Sequence, residues 1–249
     1  SFQSQAPFAV LLDSETGAVL YEKAADELMV PASMAKLATV LVAFQDITAG
    51  RLSLDSEISI SENAWRKGGA PSGGSAMFAI INSRIKLSDI LQGIIVQSGN
   101  DASIALAEAI AGDEPTFGRI MTERVRGLGL TKSVFRNATG MPDPQQRVTA
   151  RELALLADHI IKTYPELYKI FGQREFTWNK IKQQNRNPLL AMDIGADGLK
   201  TGNVDDSGYG LVGSAVQKDQ RLIVVVAGLK NARDRASEGR KLLEWGFRS

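Results

Sequence analysis

The sequence predicts an α/β (α+β) fold: a mostly antiparallel β-sheet formed by both ends of the chain and flanked by helices, with a central helical lobe. Three observations predict it. Strand-like alternation of apolar and polar residues lies near both termini. Apolar residues at helical spacing dominate the middle of the chain. Short turns separate neighbouring strands at each end, and strands joined in this way run antiparallel.

The strand predictions come from both ends of the chain. Residues 8–13 and 18–22 are predicted to form a β-hairpin whose turn contains Gly17. Three more strands are predicted over residues 198–203, 209–216 and 221–229. A last helix over about residues 233–245 follows them, and we expect the terminal helices to cover the faces of the sheet.

Predicted helices fill the region between these strands. The first follows Pro31, includes the apolar run 34–44 and ends near Gly50, with proline ahead of it and glycine behind it. The others are predicted over residues 87–97, 102–111, 115–128 and 150–162. We therefore expect one domain over residues 1–249, with a sheet lobe of about 1–50 and 190–249 and a helical lobe of about 51–189.

Composition excludes several classes of function. Lysine and arginine total 29 against 28 acidic residues, so no basic excess indicates nucleic-acid binding or an anionic membrane surface. The longest apolar runs, such as residues 222–227, are too short to span a bilayer. Cysteine is absent and His159 is the only histidine, so no metal site is expected. The N-terminal residues lack a signal-peptide pattern, which fits a cytoplasmic protein or a mature, processed chain.

The helix after Pro31 carries an unusual lysine. Its residues 34–44 are apolar on every face apart from a few polar ones, a pattern typical of an interior helix, yet Lys36 lies in its first turn. Since burying an unpaired ammonium is costly, Lys36 is expected to be paired, neutral or at a wet cleft. Ser33 is three residues earlier and shares its helix face. A lysine in that position can accept the serine proton, which predicts a Ser33 nucleophile with Lys36 as its base.

Two further elements carry groups suited to the same chemistry. Ser98 and Asn100 flank a glycine on a short connection between two apolar helices, where they are either catalytic groups or helix caps. Lys200, Thr201 and Gly202 lie on an edge-like strand, which is either part of a site or a solvated strand end; a glycine there often marks close approach of a backbone or ligand. Segments 83–86 and 61–63 repeat the first two patterns, but their charged or polar contexts do not favour a site.

The three elements occur together and in one order. Ser-x-x-Lys, Ser-Asp-Asn and Lys-Thr-Gly are the motif set of class A β-lactamases and penicillin-binding proteins. Here each falls on the expected element: a helix start, an interhelical loop and a C-terminal strand. The chain resembles the serine-type D-alanyl-D-alanine carboxypeptidases, the low-molecular-mass penicillin-binding proteins, over nearly its whole length. The resemblance extends to segments 12–21, 31–36, 97–102, 185–187, 197–202 and 241–247.

The resemblance implies a β-lactamase/transpeptidase-like fold and a role for each motif residue. Ser33 attacks the peptide carbonyl between the last two D-alanines and becomes acylated, while Lys36 accepts its proton. Ser98 relays a proton to the leaving amine, and Asn100 holds Lys36 and the substrate amide. The backbone N–H groups of Ser33 and Asn203 form the oxyanion hole. No cofactor is implied.

The resemblance also implies how the substrate is recognised. Lys200 and Thr201, with Gly202 on the same strand, bind the terminal carboxylate. Arg235 supports them from the first turn of the last helix, and Arg186 is either a cleft residue or a structural one. The implied partners are peptidoglycan stem peptides ending in D-Ala-D-Ala and β-lactam antibiotics. The implied location is the bacterial cell envelope, periplasmic or extracytoplasmic.

Two features depart from the family pattern. Asn203 stands where members often have histidine; a backbone donor survives this change, but side-chain effects on deacylation are open. Many relatives continue into a small β-rich domain and an amphipathic membrane-resting helix, which are not in this sequence. The chain is therefore expected to be a catalytic-domain fragment or a natural short form, with membrane contact only through such segments.

Two rival functions remain open from the sequence. A β-lactamase requires an efficient deacylation base, typically in a Glu-x-x-Leu-Asn segment, and no such segment is present. A penicillin-sensing receptor domain is acylated without turning over substrate. Release of D-alanine distinguishes the carboxypeptidase from the receptor.

Overall fold

The computed structural model describes residues 2–205 and 207–249. The strands are β1 (Phe8–Asp13), β2 (Val19–Lys23), β3 (Glu57–Ser59), β4 (Arg84–Lys86), β5 (Glu175–Trp178), β6 (Ile181–Gln184), β7 (Ala196–Val204), β8 (Gly208–Gln217) and β9 (Gln220–Leu229). The α-helices are α1 (Lys36–Thr48), α2 (Glu62–Gly68), α3 (Leu87–Ile95), α4 (Asn100–Ala111), α5 (Glu114–Gly127), α6 (Ala150–Thr163), α7 (Pro165–Tyr168) and α8 (Ala232–Arg248). Short 3-10 turns cover Ala32–Ala35, Ala70–Ser72, Lys169–Gly172 and Pro188–Ala191.

The chain divides into two units, each assembled from separate segments. Unit 1 contains the residues up to Met34, then Arg147–Gly172 and the chain from Asn187 onward. Unit 2 contains Ala35–Gln146 and Gln173–Arg186. These limits differ from the expected lobes, because α1 belongs to unit 2 with the central helices, whereas α6, α7 and the turn that follows α7 belong to unit 1 with the sheet.

A five-stranded sheet organises unit 1. Its strand order is β2-β1-β9-β8-β7, and every neighbouring pair is antiparallel, which confirms the predicted mostly antiparallel sheet built from both chain ends. The central strands are buried on both faces, since β8 and β9 each contain six consecutive buried residues. β7, which carries Lys200 to Asn203, is an edge strand.

Two helices account for the burial of both sheet faces. α8 packs against β8 and β9, and its Leu242 and Leu243 join a hydrophobic cluster with alternate residues of β1, β8 and β9. α6 packs against β1 and β9. The prediction that the terminal helices cover the sheet is therefore correct for α8 but wrong for the first helix, because α1 packs against α3, α4 and α5.

Unit 2 is mainly helical. α1 is buried along almost its whole length, as its all-round apolar sequence predicts. α2 packs on α4, and α4 also contacts α3 and α5. Two short hairpins, β3–β4 and β5–β6, complete the unit. Within the described residues, no helix combines the length and apolar character needed to cross a membrane.

Candidate active site

Ser33 lies on a tight turn immediately before a helix. The 3-10 turn Ala32–Ala35 leads directly into α1, which begins at Lys36, so the helix starts slightly later than predicted. Ala32 adopts a φ of 50°, in the left-handed region that residues with a Cβ seldom occupy. The amide of Met34 donates to Pro31 O at 3.1 Å and closes the turn. Ser33 is thus presented at a helix start, where backbone N–H groups favour developing negative charge.

Lys36 is completely buried at the start of α1 in unit 2. Its Nζ donates to Asn100 Oδ1 at 2.8 Å and to Thr139 O at 2.9 Å. The sequence predicted a lysine that is paired, neutral or at a wet cleft. The structure shows a paired lysine, hydrogen-bonded to two oxygen atoms. Both acceptors are uncharged oxygens, which can bind the amine as a donor whether or not it carries the extra proton.

The connection between α3 and α4 holds Ser98 and Asn100 in a defined conformation. Ser98 is buried and has a φ of 52°, again in the left-handed region. The Gly99 amide donates to Gly93 O at 2.9 Å, and the Asn100 amide donates to Ser75 O at 2.8 Å. Backbone bonds on either side of the turn hold it, and the predicted interhelical loop is confirmed.

Asp101, the residue after this motif, was not singled out in the sequence. It is fully buried, and its two carboxylate oxygens accept hydrogen bonds from the amides of Met77 at 2.9 Å and Ala79 at 3.0 Å. Burial raises the pKa of Asp101, while these amides act in the opposite direction. The signal available in the sequence was a charged residue directly after a loop between two apolar helices. The backbone amides that bind Asp101 cannot be identified from the sequence.

A second contact beside this loop explains a glycine. A Cβ on Gly68, the last residue of α2, would lie 2.5 Å from the Asp101 amide nitrogen and 2.6 Å from the Asn100 carbonyl carbon. No side chain fits there, so α2 can approach the start of α4 only with glycine at this position.

The predicted Lys-Thr-Gly segment lies on β7 in unit 1. Lys200 and Thr201 are buried, and Lys200 Nζ donates to Thr201 O at 3.3 Å. A Cβ on Gly202 would lie 3.0 Å from the Ser33 amide nitrogen and 3.1 Å from that of Met34. The close approach that the glycine predicted is therefore to the backbone of the Ser33 turn.

Arg235 lies in the first turn of α8 and reaches the same strand. Its Nη1 donates to Gly202 O at 3.3 Å, and its guanidinium carbon is 5.2 Å from the centre of the Tyr209 ring. Burial lowers the pKa of Arg235 from its usual high value. Asn203 is exposed near the end of β7, opposite Tyr209. Tyr209 is a residue that the sequence did not single out.

Arg186 and the two segments that repeat the motif patterns, 83–86 and 61–63, lie on other elements than the predicted motifs. Arg186 follows β6 in unit 2 and donates to Gln183 Oε1 at 3.2 Å, and burial lowers its pKa. Within the segment 83–86, Arg84–Lys86 form β4, and α3 begins directly after it at Leu87. Ser61 caps α2, accepting from the Ala64 amide at 3.0 Å.

The chain belongs to the D-alanyl-D-alanine carboxypeptidase family, whose model matches residues 2–231. It is 43% identical over 241 residues to D-alanyl-D-alanine carboxypeptidase DacC of Escherichia coli K12, a match that covers 96% of this chain and 60% of the relative. It spans about three fifths of the length of the first curated relatives that it matches.

Solved structures support the same assignment. The fold matches penicillin binding protein 5 from Haemophilus influenzae with a TM-score of 0.95 and 40% identity, covering 100% of this chain and 72% of that one. It also matches penicillin-binding protein D2 from Listeria monocytogenes in its ampicillin-bound form with a TM-score of 0.88 and 28% identity, covering 99% of both chains. The resemblance stated from the sequence is confirmed at the level of family and fold.

Proposed function

We propose that residues 1–249 form the catalytic domain of a D-alanyl-D-alanine carboxypeptidase that removes the terminal D-alanine from peptidoglycan pentapeptide stems. The single observation that carries the proposal is the hydrogen bond between Lys36 and Asn100, which joins two of the motifs that were predicted separately. Membership of the D-alanyl-D-alanine carboxypeptidase family supports it.

In the proposed reaction Ser33 is the nucleophile. Its Oγ attacks the carbonyl carbon of the penultimate D-alanine, and Lys36 Nζ accepts the hydroxyl proton. The C–N bond then breaks, and Ser98 passes a proton to the departing D-alanine amine. Water hydrolyses the ester on Ser33 and regenerates the enzyme. Asn100 orients Lys36, a role supported by the hydrogen bond of 2.8 Å between them.

Stabilisation of negative charge is proposed to come from β7 and the Ser33 turn. The backbone N–H groups of Ser33 and Asn203 bind the oxyanion of the tetrahedral intermediate. The close packing of Gly202 against the Ser33 amide supports this role, because it brings the backbone of β7 to the turn. A side chain on residue 202 would obstruct that approach.

Recognition of the substrate is proposed to depend on its free C-terminal carboxylate. Lys200 and Thr201 bind that carboxylate, and Arg235 contributes a second cation from α8. The hydrogen bond from Arg235 to Gly202 O supports a position beside this strand. Arg186 is proposed as a substrate-binding residue from the resemblance alone, because its described hydrogen bond is local to its hairpin.

We propose stem peptides ending in D-Ala-D-Ala as substrates, β-lactams as acylating inhibitors and the bacterial cell envelope as the location. The Listeria monocytogenes structure in its ampicillin-bound form supports the inhibitor proposal, since it shares the fold over 99% of this chain. A β-lactam resembles the substrate in presenting an amide carbonyl that Ser33 Oγ can attack. The ring C–N bond then breaks, and the opened drug stays attached to Ser33 as an ester.

Two measurements test the proposal. Intact mass after penicillin treatment is expected to increase by one drug molecule, with the adduct mapped to Ser33 and absent from Ser33→Ala. Ser83→Ala is the matched control and is expected to label normally. Incubation with a peptide ending in D-Ala-D-Ala is then expected to release D-alanine.

The same pair of measurements distinguishes the rival functions. Acylation without D-alanine release would indicate a penicillin-sensing domain. Rapid loss of the adduct, with turnover of the antibiotic and no release of D-alanine, would indicate a β-lactamase. An adduct on another residue would overturn the assignment of Ser33.

A further inference from the structure

β7 contains one residue more than its partner strand requires. Ala196 pairs with Ala215 and Thr201 pairs with Leu211, so five steps along β7 match only four along β8. The register shifts between Ala196 and Gly198, which leaves Asp197 as the inserted residue. An insertion of this kind is a β-bulge, and bulges re-aim the side chains that follow them.

The bulge determines which face of the sheet each residue of the Lys-Thr-Gly segment occupies. Leu211 and Ala215 belong to the hydrophobic cluster formed with α8, so Thr201 and Ala196 lie opposite residues of that face. Lys200 pairs with Val212 and therefore points to the other face. Side chains alternate along a strand. Without the extra residue, Lys200 would therefore lie on the face that packs against α8, and Thr201 would lie on the opposite face.

The face opposite α8 is the one on which β7 meets the nucleophile turn. Gly202 lies on the same face as Lys200, two residues further on, and approaches the amides of Ser33 and Met34. If the bulge were absent, Thr201 would take the place of Gly202 opposite Gly210, and the β-carbon of Thr201 would meet the turn. The register therefore decides whether β7 and the Ser33 backbone can pack together.

A polar network anchors the bulged residue. The Arg221 guanidinium donates from Nη1 to Asp197 Oδ1 at 2.9 Å and from Nη2 to Oδ2 at 3.0 Å. The hydroxyl of Tyr168 also donates to Asp197 Oδ1, at 2.7 Å. Arg221 Nη1 reaches Ser214 Oγ on β8 at 2.8 Å as well, so one side chain of β9 connects three adjacent strands. A two-point bond between arginine and a carboxylate is strong and directional.

The surroundings make this anchor rigid. Tyr168 is 5% exposed and stacks on Phe171, and the Arg221 guanidinium carbon is 5.6 Å from the centre of its ring. A Cβ on Gly198 would collide with the Tyr168 hydroxyl, so the tyrosine occupies the space beside the bulge. Burial opposes the charge on Arg221, but its bonds to Asp197 outweigh that effect and raise its pKa.

We propose that Asp197, held by Arg221 and Tyr168, is the positioning residue that fixes the register of β7 and so presents Lys200 and Gly202 for acyl transfer. The proposal rests on the proposed function for its link to catalysis, whereas the register itself does not depend on any activity. Asp197 acts through the strand and not by contact with substrate.

The test compares Asp197→Ala with a matched ion-pair variant under identical conditions. Asp26→Asn is the control, because Asp26 pairs with Arg151 of α6 at 2.8 Å in the same unit. Amide hydrogen exchange over residues 198–204, read by mass spectrometry, is expected to accelerate at least tenfold in Asp197→Ala and to stay unchanged in Asp26→Asn. Acylation of Ser33 by penicillin is expected to slow at least tenfold in Asp197→Ala only.

Tyr168→Phe is the second variant and covers the case in which Asp197→Ala does not fold. It keeps the ring on Phe171 and removes the bond to Asp197, so a change in the same direction but about threefold is expected in both measurements. Unchanged exchange, or faster exchange with normal acylation, would overturn the proposal. If wild type is not acylated at all, the proposed function fails, and exchange alone still decides whether Asp197 holds the register.

Discussion

The Nζ of Lys36 and the Oδ1 of Asn100 lie 2.8 Å apart, in a hydrogen bond between the first residues of α1 and α4. Both residues begin helices, so the bond fixes the amine relative to two rigid elements. The amide oxygen accepts from either protonation state of the lysine. This arrangement can hold the amine in place while it gains and loses a proton.

Replacing Lys36 tests the proposed base. Lys36→Met keeps most of the side-chain length and has no amine, and acylation by penicillin is expected to fall by about 10²-fold or more, the lower end of a general-base contribution. Lys36→Arg keeps the charge but cannot deprotonate, and a similar loss is expected. Stopped-flow or gel-based acylation with fluorescent penicillin measures both.

The thermal midpoint of each Lys36 variant is the control for folding. Lys67→Met, at an exposed position in the last turn of α2, is expected to acylate like wild type. If a folded Lys36→Met acylated at the wild-type rate, Lys36 would not be the base.

Arg235 is expected to act on the substrate carboxylate. A hydrogen bond to a charged group contributes roughly 1.5–3 kcal/mol, so Arg235→Ala is expected to lower kcat/KM about 10- to 150-fold toward a peptide ending in D-Ala-D-Ala. A C-terminally amidated form of the peptide has no carboxylate and is expected to lose much less. Kinetics of wild type and variant on both peptides measure the difference.

Arg240→Ala is a matched control on the same helix, since Arg240 is exposed and pairs with Glu244. It is expected to leave both peptides unaffected. Equal losses on the acid and the amide in Arg235→Ala would show that Arg235 has a structural role, through Gly202 and Tyr209, and would remove it from the carboxylate site.

Gly202→Ala is expected to damage the packing of β7 on the Ser33 turn. The new methyl group would lie 3.0 Å and 3.1 Å from two backbone nitrogens, which cannot move aside as a flexible side chain can. Acylation is expected to slow at least about tenfold, the cost of displacing positioned groups by a fraction of an ångström. Gly127→Ala is the control, because nothing lies within 4 Å of its added methyl group. Normal acylation in folded Gly202→Ala would contradict the close approach.

Asp101 predicts a dependence of stability on pH. Its pKa is raised above the ordinary 3.8 by burial, so the folded state holds the proton more tightly than the unfolded chain. The stabilising contribution is therefore complete below about pH 3.8 and is lost as the pH rises through the raised pKa. Urea denaturation of wild type and Asp101→Asn across this range measures it.

The difference in free energy of unfolding between wild type and Asp101→Asn is expected to shrink as the pH rises and then to level off. The asparagine side chain offers only one acceptor oxygen where Met77 and Ala79 now use two, so a constant loss of about 1 kcal/mol is expected in addition. A difference that grows with pH would contradict the raised pKa.

Much of the fold could be predicted because the longer helices and strands have clear apolar periodicity and are bounded by turn residues. The structure confirms the hairpin at residues 8–23, the helices α3 to α6 and the three C-terminal strands within a few residues. The hairpins β3–β4 and β5–β6 and the short helices α2 and α7 were not predicted. Their strands have three or four residues, too few to establish alternation.

The candidate site was predictable to the extent that its residues lie in short motifs. Lys36 stood out because a lysine does not suit an apolar helix, and Gly202 because glycine weakens a strand. Thr139, Asp101 and the network around Asp197 could not be found, because each acts through backbone atoms or through partners distant in sequence. A bulge depends on the register of two strands, which one segment does not reveal.

The order of strands in the sheet has a consequence for how this chain acquires its structure during synthesis. Leu11 of β1 pairs with Val224 of β9, far along the chain, whereas the first segment of unit 2 is continuous from Ala35 to Gln146. Contacts so distant along the chain form slowly. While the ribosome is still adding residues, the helices of unit 2 can assemble. The apolar strand β1 cannot pair with β9, the central strand of the sheet, until β9 has been synthesised. We therefore expect refolding to be slow and vulnerable to aggregation until β9 is in place.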